Sequence, residues 1–281
     1  MIITEGLKNL AKTNFFKPSS INDIKKLTVV TTRQDLMVTD VTQVKHFSPA
    51  EFFNYESWEY EDFDYTISEL GLRGSTLPNN VDLAAFGCSF TFGQALPINM
   101  LWHDILSKQL NLSAYNFGQP ASNVKSIADT FALLIKHVKM KHAIFLLPPF
   151  HRLQIAAKSK HADEVELVPL IPNYKSRLET NFEVDGKLIY TAITDEEMLK
   201  TFKDSIYLIE ELGVQAGIKT YFSSWCNDTY EFMTYMKFND GVLLPGWTSL
   251  VELQDDFARD KLHPGPKHHL KWANEIVEYI K

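Results

Sequence analysis

From residue 81 onward, short apolar segments alternate with longer segments in which apolar residues recur at helical spacing. The alternation predicts strands at 82–86, 113–117, 142–147 and 218–223, and helices at 98–110, 123–139, 196–215 and 266–280. Strands that alternate with helices are typical of a parallel sheet with helices packed on both faces. We therefore predict an α/β fold, a three-layer α/β/α sandwich around a central, mostly parallel sheet of flavodoxin-like type.

Two regions depart from this alternation. Residues 1–79 show no clear period, so we predict an N-terminal accessory segment ahead of a domain at 80–281. Residues from about 150 to 195 interrupt the domain, with strands predicted at 165–171 and 181–190. Ligands of open α/β sheets bind at the carboxyl ends of the strands, and this insertion follows such an end. We expect it to form a lid or a wall of a ligand site.

Charge, apolar runs and cysteine content limit the kinds of partner and the cellular location that we expect for this protein. The formal net charge is −7, and the sequence has no basic stripe of the kind that neutralises phosphates, so we expect no nucleic-acid partner. No apolar run approaches the ~20 residues of a membrane span, and the first residues lack the apolar core of a secretory signal. We therefore expect synthesis in a cytoplasm. The two cysteines, Cys88 and Cys226, form no disulfide framework, and the sequence leaves the oligomeric state open.

A serine follows the first predicted strand of the domain. Residues 87–93 read Gly-Cys-Ser-Phe-Thr-Phe-Gly and place Ser89 on the turn between that strand and the next helix. A serine hydroxyl becomes a good nucleophile only when a base removes its proton. The turn is not the Gly-x-Ser-x-Gly elbow of the α/β-hydrolases, because residue 91 is Thr.

An aspartate and a histidine stand three residues apart before the last predicted helix. In Asp260-Lys-Leu-His263, one turn can bring the carboxylate to Nδ1 of the imidazole and leave Nε2 directed at Ser89. We therefore predict Ser89 as nucleophile, His263 as general base and Asp260 as the residue that orients His263. Two alternatives stay open: Asp260 could cap the last helix or pair with Lys261, and His263 could be an ordinary loop histidine.

These segments carry a family resemblance. Residues 87–93 resemble the first block of the SGNH (GDSL) hydrolases in a Gly-Cys-Ser-Phe-Thr variant, with Cys88 where the commonest members have Asp. Residues 260–265 resemble the last block and residues 115–123 the second, within a similarity that covers roughly 68–281. The resemblance implies an SGNH-type fold and a serine hydrolase that acts on carboxylic esters without a cofactor.

The resemblance also implies an oxyanion hole, the set of donors that stabilises the negative oxygen of the reaction intermediate. In the second block, Gly118 and Ala121 are the residues we expect at the site, and Ala121 stands where we align the family's glycine. The backbone N–H groups of Ser89 and Ala121 would bind the oxyanion.

The third block departs from the family. After strand 142–147 the family offers Gly-x-Asn-Asp, but this chain has Pro-Pro-Phe-His-Arg at 148–152. Losing one oxyanion donor lowers the rate by about 100- to 1000-fold. Asn123, His151 or Arg152 could supply the missing donor, and Arg152 could instead hold an anionic part of the substrate.

Several interpretations of function follow. With the resemblance, the aromatic loops, such as the connection 224–250, lead us to expect O-acyl groups, acetyl above all, on carbohydrate as the substrate. The aromatic residues at 47–65 are interpreted as core or domain interface, with a glycan-binding platform as the alternative. The substrate itself would be a small-molecule or polysaccharide ester. An acyltransferase with the same triad is one alternative, and a non-catalytic glycan-binding or virion-associated protein is another.

We predict no metal site at His268 and His269, because no further ligands stand at metal spacing. Cys88 is interpreted as a buried thiol rather than a nucleophile.

Overall fold

The computed structural model describes residues 45–47, 63, 65–68, 71–158, 165–170, 195–247, 256–260 and 263–280. Within them lies a sheet of five parallel strands in the order β4-β3-β5-β8-β9. Its strands are β3 (Asn80–Gly87), β4 (Ala114–Asn116), β5 (Lys139–Leu147), β8 (Lys219–Ser224) and β9 (Val242–Leu243). Two antiparallel pairs lie outside this sheet: β1 (Lys45–Phe47) with β2 (Tyr65–Ile67), and β6 (Leu153–Lys158) with β7 (Val165–Leu170).

The helices connect these strands. They are α1 (Ser89–Phe92), α2 (Trp102–Leu110), α3 (Val124–Leu134), α4 (Asp195–Ala216), α5 (Asn227–Thr234) and α6 (Pro266–Ile276), with 3₁₀ turns at Ile98–Met100 and Val277–Tyr279. Pro266 occupies the first turn of α6, where a missing N–H leaves no helical hydrogen bond unmade.

The core has two parts, one on each face of the sheet. On one face, Phe145 stacks between Phe86 at 4.9 Å and Phe222 at 5.3 Å, and α3 and α4 cover these rings. On the other face, Ile144 and Leu146 pack with residues of α2 and α6. Neighbouring residues of a strand point to opposite faces, so the apolar run of β5 fills both layers. The predicted three-layer α/β/α arrangement with a parallel sheet is confirmed.

The boundaries differ from the predicted ones in several places. The helix predicted at 123–139 ends at Leu134, and β5 begins at Lys139, which pairs with Asn80. Residues 135–137 form a turn, with the N–H groups of His137 and Val138 donating to the carbonyl oxygen of Leu134, and only Lys139 of the predicted helix enters the strand. Within the connection 224–250, the structure adds α5 and β9, and a two-residue strand is too short to show a period.

The predicted insertion contains an antiparallel hairpin. Its second strand, β7, matches the strand predicted at 165–171, whereas β6 was not predicted. The strand predicted at 181–190 lies outside the described residues. None of the described helices combines the length and the apolarity that a membrane span requires.

Candidate active site

Ser89 is the first residue of α1 and lies directly beyond the carboxyl end of β3. Gly87 permits this tight turn, because a Cβ there would lie 2.1 Å from Thr91 Oγ1 and 2.7 Å from the carbonyl oxygen of Leu146. Ser89 is 6% exposed, and its hydroxyl makes no hydrogen bond with any described residue. The hydroxyl is therefore held at the edge of the sheet without a structural partner.

Cys88 precedes Ser89 and points into the protein. Its side chain is fully buried, and its Sγ accepts a hydrogen bond from Trp225 Nε1 at 3.3 Å. The burial fits the interpretation of Cys88 as a buried thiol. A carboxylate at this apolar position would lose its hydration.

Asp260 and His263 form a close pair. Asp260 Oδ2 lies 2.5 Å from His263 Nδ1, and Oδ1 accepts the backbone N–H of His263 at 3.0 Å. The aspartate is 1% exposed, so its carboxylate is held away from water. Oδ2 therefore fixes the imidazole and Oδ1 fixes the backbone of the same residue. The ring nitrogen Nε2 makes no hydrogen bond with a described residue.

A different aspartate caps the last helix. Asp256 Oδ2 accepts the N–H of His268 at 2.9 Å, and the carbonyl oxygen of Asp256 accepts the N–H of Gly265. The cap of α6 therefore uses Asp256, and the alternative in which Asp260 caps this helix is wrong. The other alternative for Asp260, an ion pair with Lys261, lies outside the described residues.

Phe90, the residue after Ser89, contacts His263. The rings of Phe90 and His263 meet edge to face, with centroids 5.8 Å apart. No hydrogen bond joins the hydroxyl of Ser89 to His263 in the described part of the chain. The contact expected between the two side chains stays a prediction.

The loop after β4 is tied by hydrogen bonds to the turn at residues 87–89, which presents the proposed nucleophile and is called the nucleophile turn below. The N–H of Gln119 and the hydroxyl of Ser122 both donate to the carbonyl oxygen of Gly87, at 2.9 and 3.1 Å. Ala121 between them has φ = 64°, the left-handed conformation that favours glycine. Ala121 thus adopts a backbone conformation that is more common for glycine than for alanine. The backbone N–H groups of Ser89 and Ala121 donate to no described residue.

Gly118 allows the loop after β4 to pack closely against α1. Its N–H donates to Asn116 Oδ1 at 2.8 Å, and a Cβ at this position would lie 2.4 Å from the backbone nitrogen of Phe92. The amide nitrogen of Asn116 donates to the carbonyl oxygen of Thr91 at 2.8 Å. Asn116 therefore joins the second loop to α1, and the N–H of Gly118 is already used.

A neutral histidine supports Asn116. His103 Nε2 lies 2.9 Å from Asn116 Nδ2 and accepts from it. Burial, with the nearby charge of Arg73, lowers the pKa of His103 to about 3. The imidazole therefore stays uncharged near neutral pH, as an acceptor requires.

The three candidates for the missing oxyanion donor have different surroundings. Asn123 is 3% exposed and caps α3: its Oδ1 accepts the N–H of Ser126 at 2.8 Å, while its Nδ2 donates to no described residue. His151 is half-buried, with its ring 5.6 Å from that of Phe150. Arg152 lies 5.1 Å from the ring centroid of Trp225.

Trp225 connects Arg152 to the nucleophile turn. Its ring stacks on Phe90 with centroids 4.3 Å apart and planes at 10°. Its Nε1 is fixed by Cys88 Sγ. Sequence reasoning did not single out Trp225 as a site residue, although it directly follows a predicted strand at the edge where Ser89 lies.

Arg73 holds the opposite end of α1. Its guanidinium donates to the carbonyl oxygens of Phe92, Gly93 and Leu96. The side chain is 2% exposed and lies over Tyr65, 4.5 Å from the ring centroid. Burial lowers its pKa to about 10, so the group remains charged at neutral pH.

In the part of the chain that the structure describes, no group of three His, Cys, Asp or Glu side chains is placed to hold a metal ion. His269, one of the histidines considered above, accepts the N–H of Trp102 on Nδ1 at 3.2 Å.

No protein-family model matches the sequence, and no curated protein matches it either. Several solved structures are similar. A protein described as lipolytic and of the G-D-S-L family, from Desulfitobacterium hafniense DCB-2, has 13% identity and a TM-score of 0.43, covering 72% of this chain and 99% of its own. The esterase EstA from Pseudoalteromonas sp. has 11% identity and a TM-score of 0.45, covering 72% and 97%.

A carbohydrate esterase family 2 enzyme from Corynascus thermopiles (Myceliophthora fergusii) has 9% identity and a TM-score of 0.42, covering 78% of this chain and 70% of its own. The chain is thus similar to GDSL-type lipolytic proteins and esterases. With TM-scores below 0.5, the chemistry has to be argued from the chain's own residues.

Proposed function

We propose that this protein is an SGNH-type serine hydrolase of carboxylic esters, with Ser89 as nucleophile, His263 as general base and Asp260 as its orienting partner. The observation that carries the proposal is the buried pair of Asp260 and His263 at 2.5 Å. A carboxylate on Nδ1 fixes the tautomer in which Nε2 can accept a proton. Ser89 supplies a hydroxyl with no structural task.

The reaction follows from these positions. Ser89 Oγ attacks the ester carbonyl while its proton passes to His263 Nε2, and Asp260 stabilises the imidazolium. The tetrahedral intermediate then expels the alcohol, which takes the proton from Nε2. Water, activated by the same nitrogen, attacks the acyl-enzyme and releases the acid and Ser89.

The oxyanion would lie between the N–H groups of Ser89 and Ala121. Neither group donates to a described residue, which leaves both for a ligand. Of the three candidates for a side-chain donor, Asn123 has the best support. Its Oδ1 is fixed by the cap of α3, so its Nδ2 has a fixed direction.

Carbohydrate O-acetyl groups are the substrate we propose. The support is the half-buried Trp225 beside the nucleophile turn, since aromatic rings offer flat, apolar faces against which a sugar ring can pack. A second candidate is a non-catalytic binding protein. It is favoured by the lack of a hydrogen bond between Ser89 and His263 in the described residues.

Labelling and turnover distinguish these functions. A fluorophosphonate probe should label the parent protein and Ser75→Ala, an exposed serine control, but not Ser89→Ala. On 4-nitrophenyl acetate, Ser89→Ala and Asp260→Asn should each lower turnover by about 10⁴-fold. Asp256→Asn, which disturbs the cap of α6, should keep most of the turnover of the folded protein. Equal labelling of Ser89→Ala and the parent would contradict the proposal.

Transfer to a sugar hydroxyl in excess of hydrolysis would identify an acyltransferase.

The donor role of Asn123 can be separated from its capping role. Asn123→Asp keeps an oxygen for the N–H of Ser126 and removes the amide donor, whereas Asn123→Ala removes both. We expect both variants to lower kcat by about 100- to 1000-fold with a smaller change in KM. Normal kcat in Asn123→Asp would exclude the amide donor, and His151→Ala and Arg152→Ala then test the other two candidates.

A further inference from the structure

Arg152 carries a charged group that the described fold does not satisfy. Its Nη1 is buried and has no hydrogen-bond partner. Among the described residues, no carboxylate forms an ion pair with it. Leaving a buried donor unpaired costs about 1–3 kcal/mol, and more for a charged group. The contact with the ring of Trp225 at 5.1 Å offsets part of this but accepts no N–H.

The position of Arg152 relates it to the proposed nucleophile. It follows β5 at the carboxyl edge of the sheet, where Ser89 follows β3. Between them lies Trp225, which stacks on Phe90 at 4.3 Å and is fixed by its hydrogen bond to Cys88. An indole held at both its face and its nitrogen cannot swing away, so the guanidinium has a rigid support beside the nucleophile turn.

We propose that Arg152 is an anion-binding residue that selects esters bearing a carboxylate. This proposal rests on the proposed ester hydrolysis and names its substrate class. A carboxylate carries one negative charge and can take two parallel N–H bonds from a guanidinium, which would satisfy the unpaired Nη1. The protein's formal charge of −7 gives no general attraction for anions. Selection must therefore come from this local contact.

The test compares two esters that differ only in the anionic group, 4-acetoxybenzoate and methyl 4-acetoxybenzoate. We expect Arg152→Gln to lower kcat/KM for the carboxylate by at least 10-fold and to change that for the methyl ester by less than 3-fold. Arg152→Lys should recover part of the loss, because it keeps the charge without the planar fork. Lys136→Gln removes the same charge from an exposed site before β5 and serves as the control.

A binding measurement separates this proposal from the proposed function. Calorimetry with 4-hydroxybenzoate and its methyl ester, on the parent and on Arg152→Gln, requires no turnover. If neither ester is hydrolysed but binding of 4-hydroxybenzoate depends on Arg152, the anion site stands and the esterase proposal fails. If Arg152→Gln lowers turnover of both esters equally, Arg152 acts on the oxyanion and the anion-site proposal is wrong. Unchanged turnover and binding of both pairs in Arg152→Gln would also overturn it.

Discussion

Two arginines near α1 differ in how their guanidinium groups are satisfied. At the carboxyl end, Arg73 is buried and donates to the carbonyl oxygens of Phe92, Gly93 and Leu96. Toward the amino end, Arg152 lies over Trp225, and its buried Nη1 has no partner. Both side chains lie against an aromatic ring, so the difference between them is one of hydrogen bonding.

This difference in hydrogen bonding assigns different roles to the two arginines. The last carbonyls of a helix have no helical partner, and a cation that donates to them favours both the hydrogen bonds and the helix dipole. Arg73 therefore stabilises the turn that presents Ser89. Arg152 does nothing of this kind in the described structure, which is why we assign it to a ligand.

The largest effect should follow from removing Arg73. Arg73→Met leaves the buried carbonyl oxygen of Leu96 without its donor and takes donors from Phe92 and Gly93. Phe92 still accepts from Asn116 Nδ2 and Gly93 from the N–H of Leu96, so Leu96 alone is left unsatisfied. At about 1–3 kcal/mol for such a group, we expect a loss of that size in the free energy of unfolding. Urea denaturation followed by circular dichroism measures this loss. A loss below ~1 kcal/mol would show that the carbonyls find other donors and that the comparison is wrong.

A smaller effect should appear as a dependence of stability on pH. The pKa of His103 is lowered from 6.5 to about 3 in the folded protein, by burial and then by Arg73. Between these values the unfolded chain binds a proton and the folded protein does not. The contribution of His103 to the free energy of unfolding is therefore fully present above pH 6.5. It is lost as the pH falls toward 3, at about 1.4 kcal/mol per pH unit.

His103→Gln checks this sign, since glutamine keeps an acceptor for Asn116 but does not titrate in this range. Unfolding free energies measured from pH 7.5 to 4.5 should fall less steeply for the variant than for the parent. Parallel curves would mean that His103 is protonated in the folded protein, and that Asn116 is held in another way.

The smallest change in stability should come from Arg152. Arg152→Met removes a buried donor that has no acceptor and keeps an apolar contact with Trp225. We therefore expect the free energy of unfolding to change by no more than ~1 kcal/mol, in either direction. The same urea experiment tests it beside Arg73→Met. A loss as large as that of Arg73→Met would assign Arg152 to the fold and remove the basis for an anion site.

Local patterns in the sequence predicted the parallel sheet, its flanking helices and the pairing of Asp260 with His263. They did not predict which aspartate caps α6, because Asp256 reaches the helix from outside the local cap motif. The contact of Trp225 with Cys88 joins residues that lie 137 positions apart, and nothing in either neighbourhood signals it.

The backbone conformation of Ala121 could not be predicted from the sequence either. Alignment placed it at the family's glycine, but only the structure gives φ = 64°. The division into residues 1–79 and 80–281 and the joint work of the three triad residues stay predictions.

The conformation of Ala121 has a consequence for the oxyanion hole proposed above, because it fixes the direction of one N–H donor. Alanine in the left-handed region is less stable than glycine by about 1–2 kcal/mol, and bonds from Gln119 and Ser122 to Gly87 hold the loop in that state. In exchange, alanine samples far fewer backbone states than glycine. The N–H of Ala121 therefore has a fixed direction before any ligand arrives, and in the reaction we propose this donor would need little reorganisation.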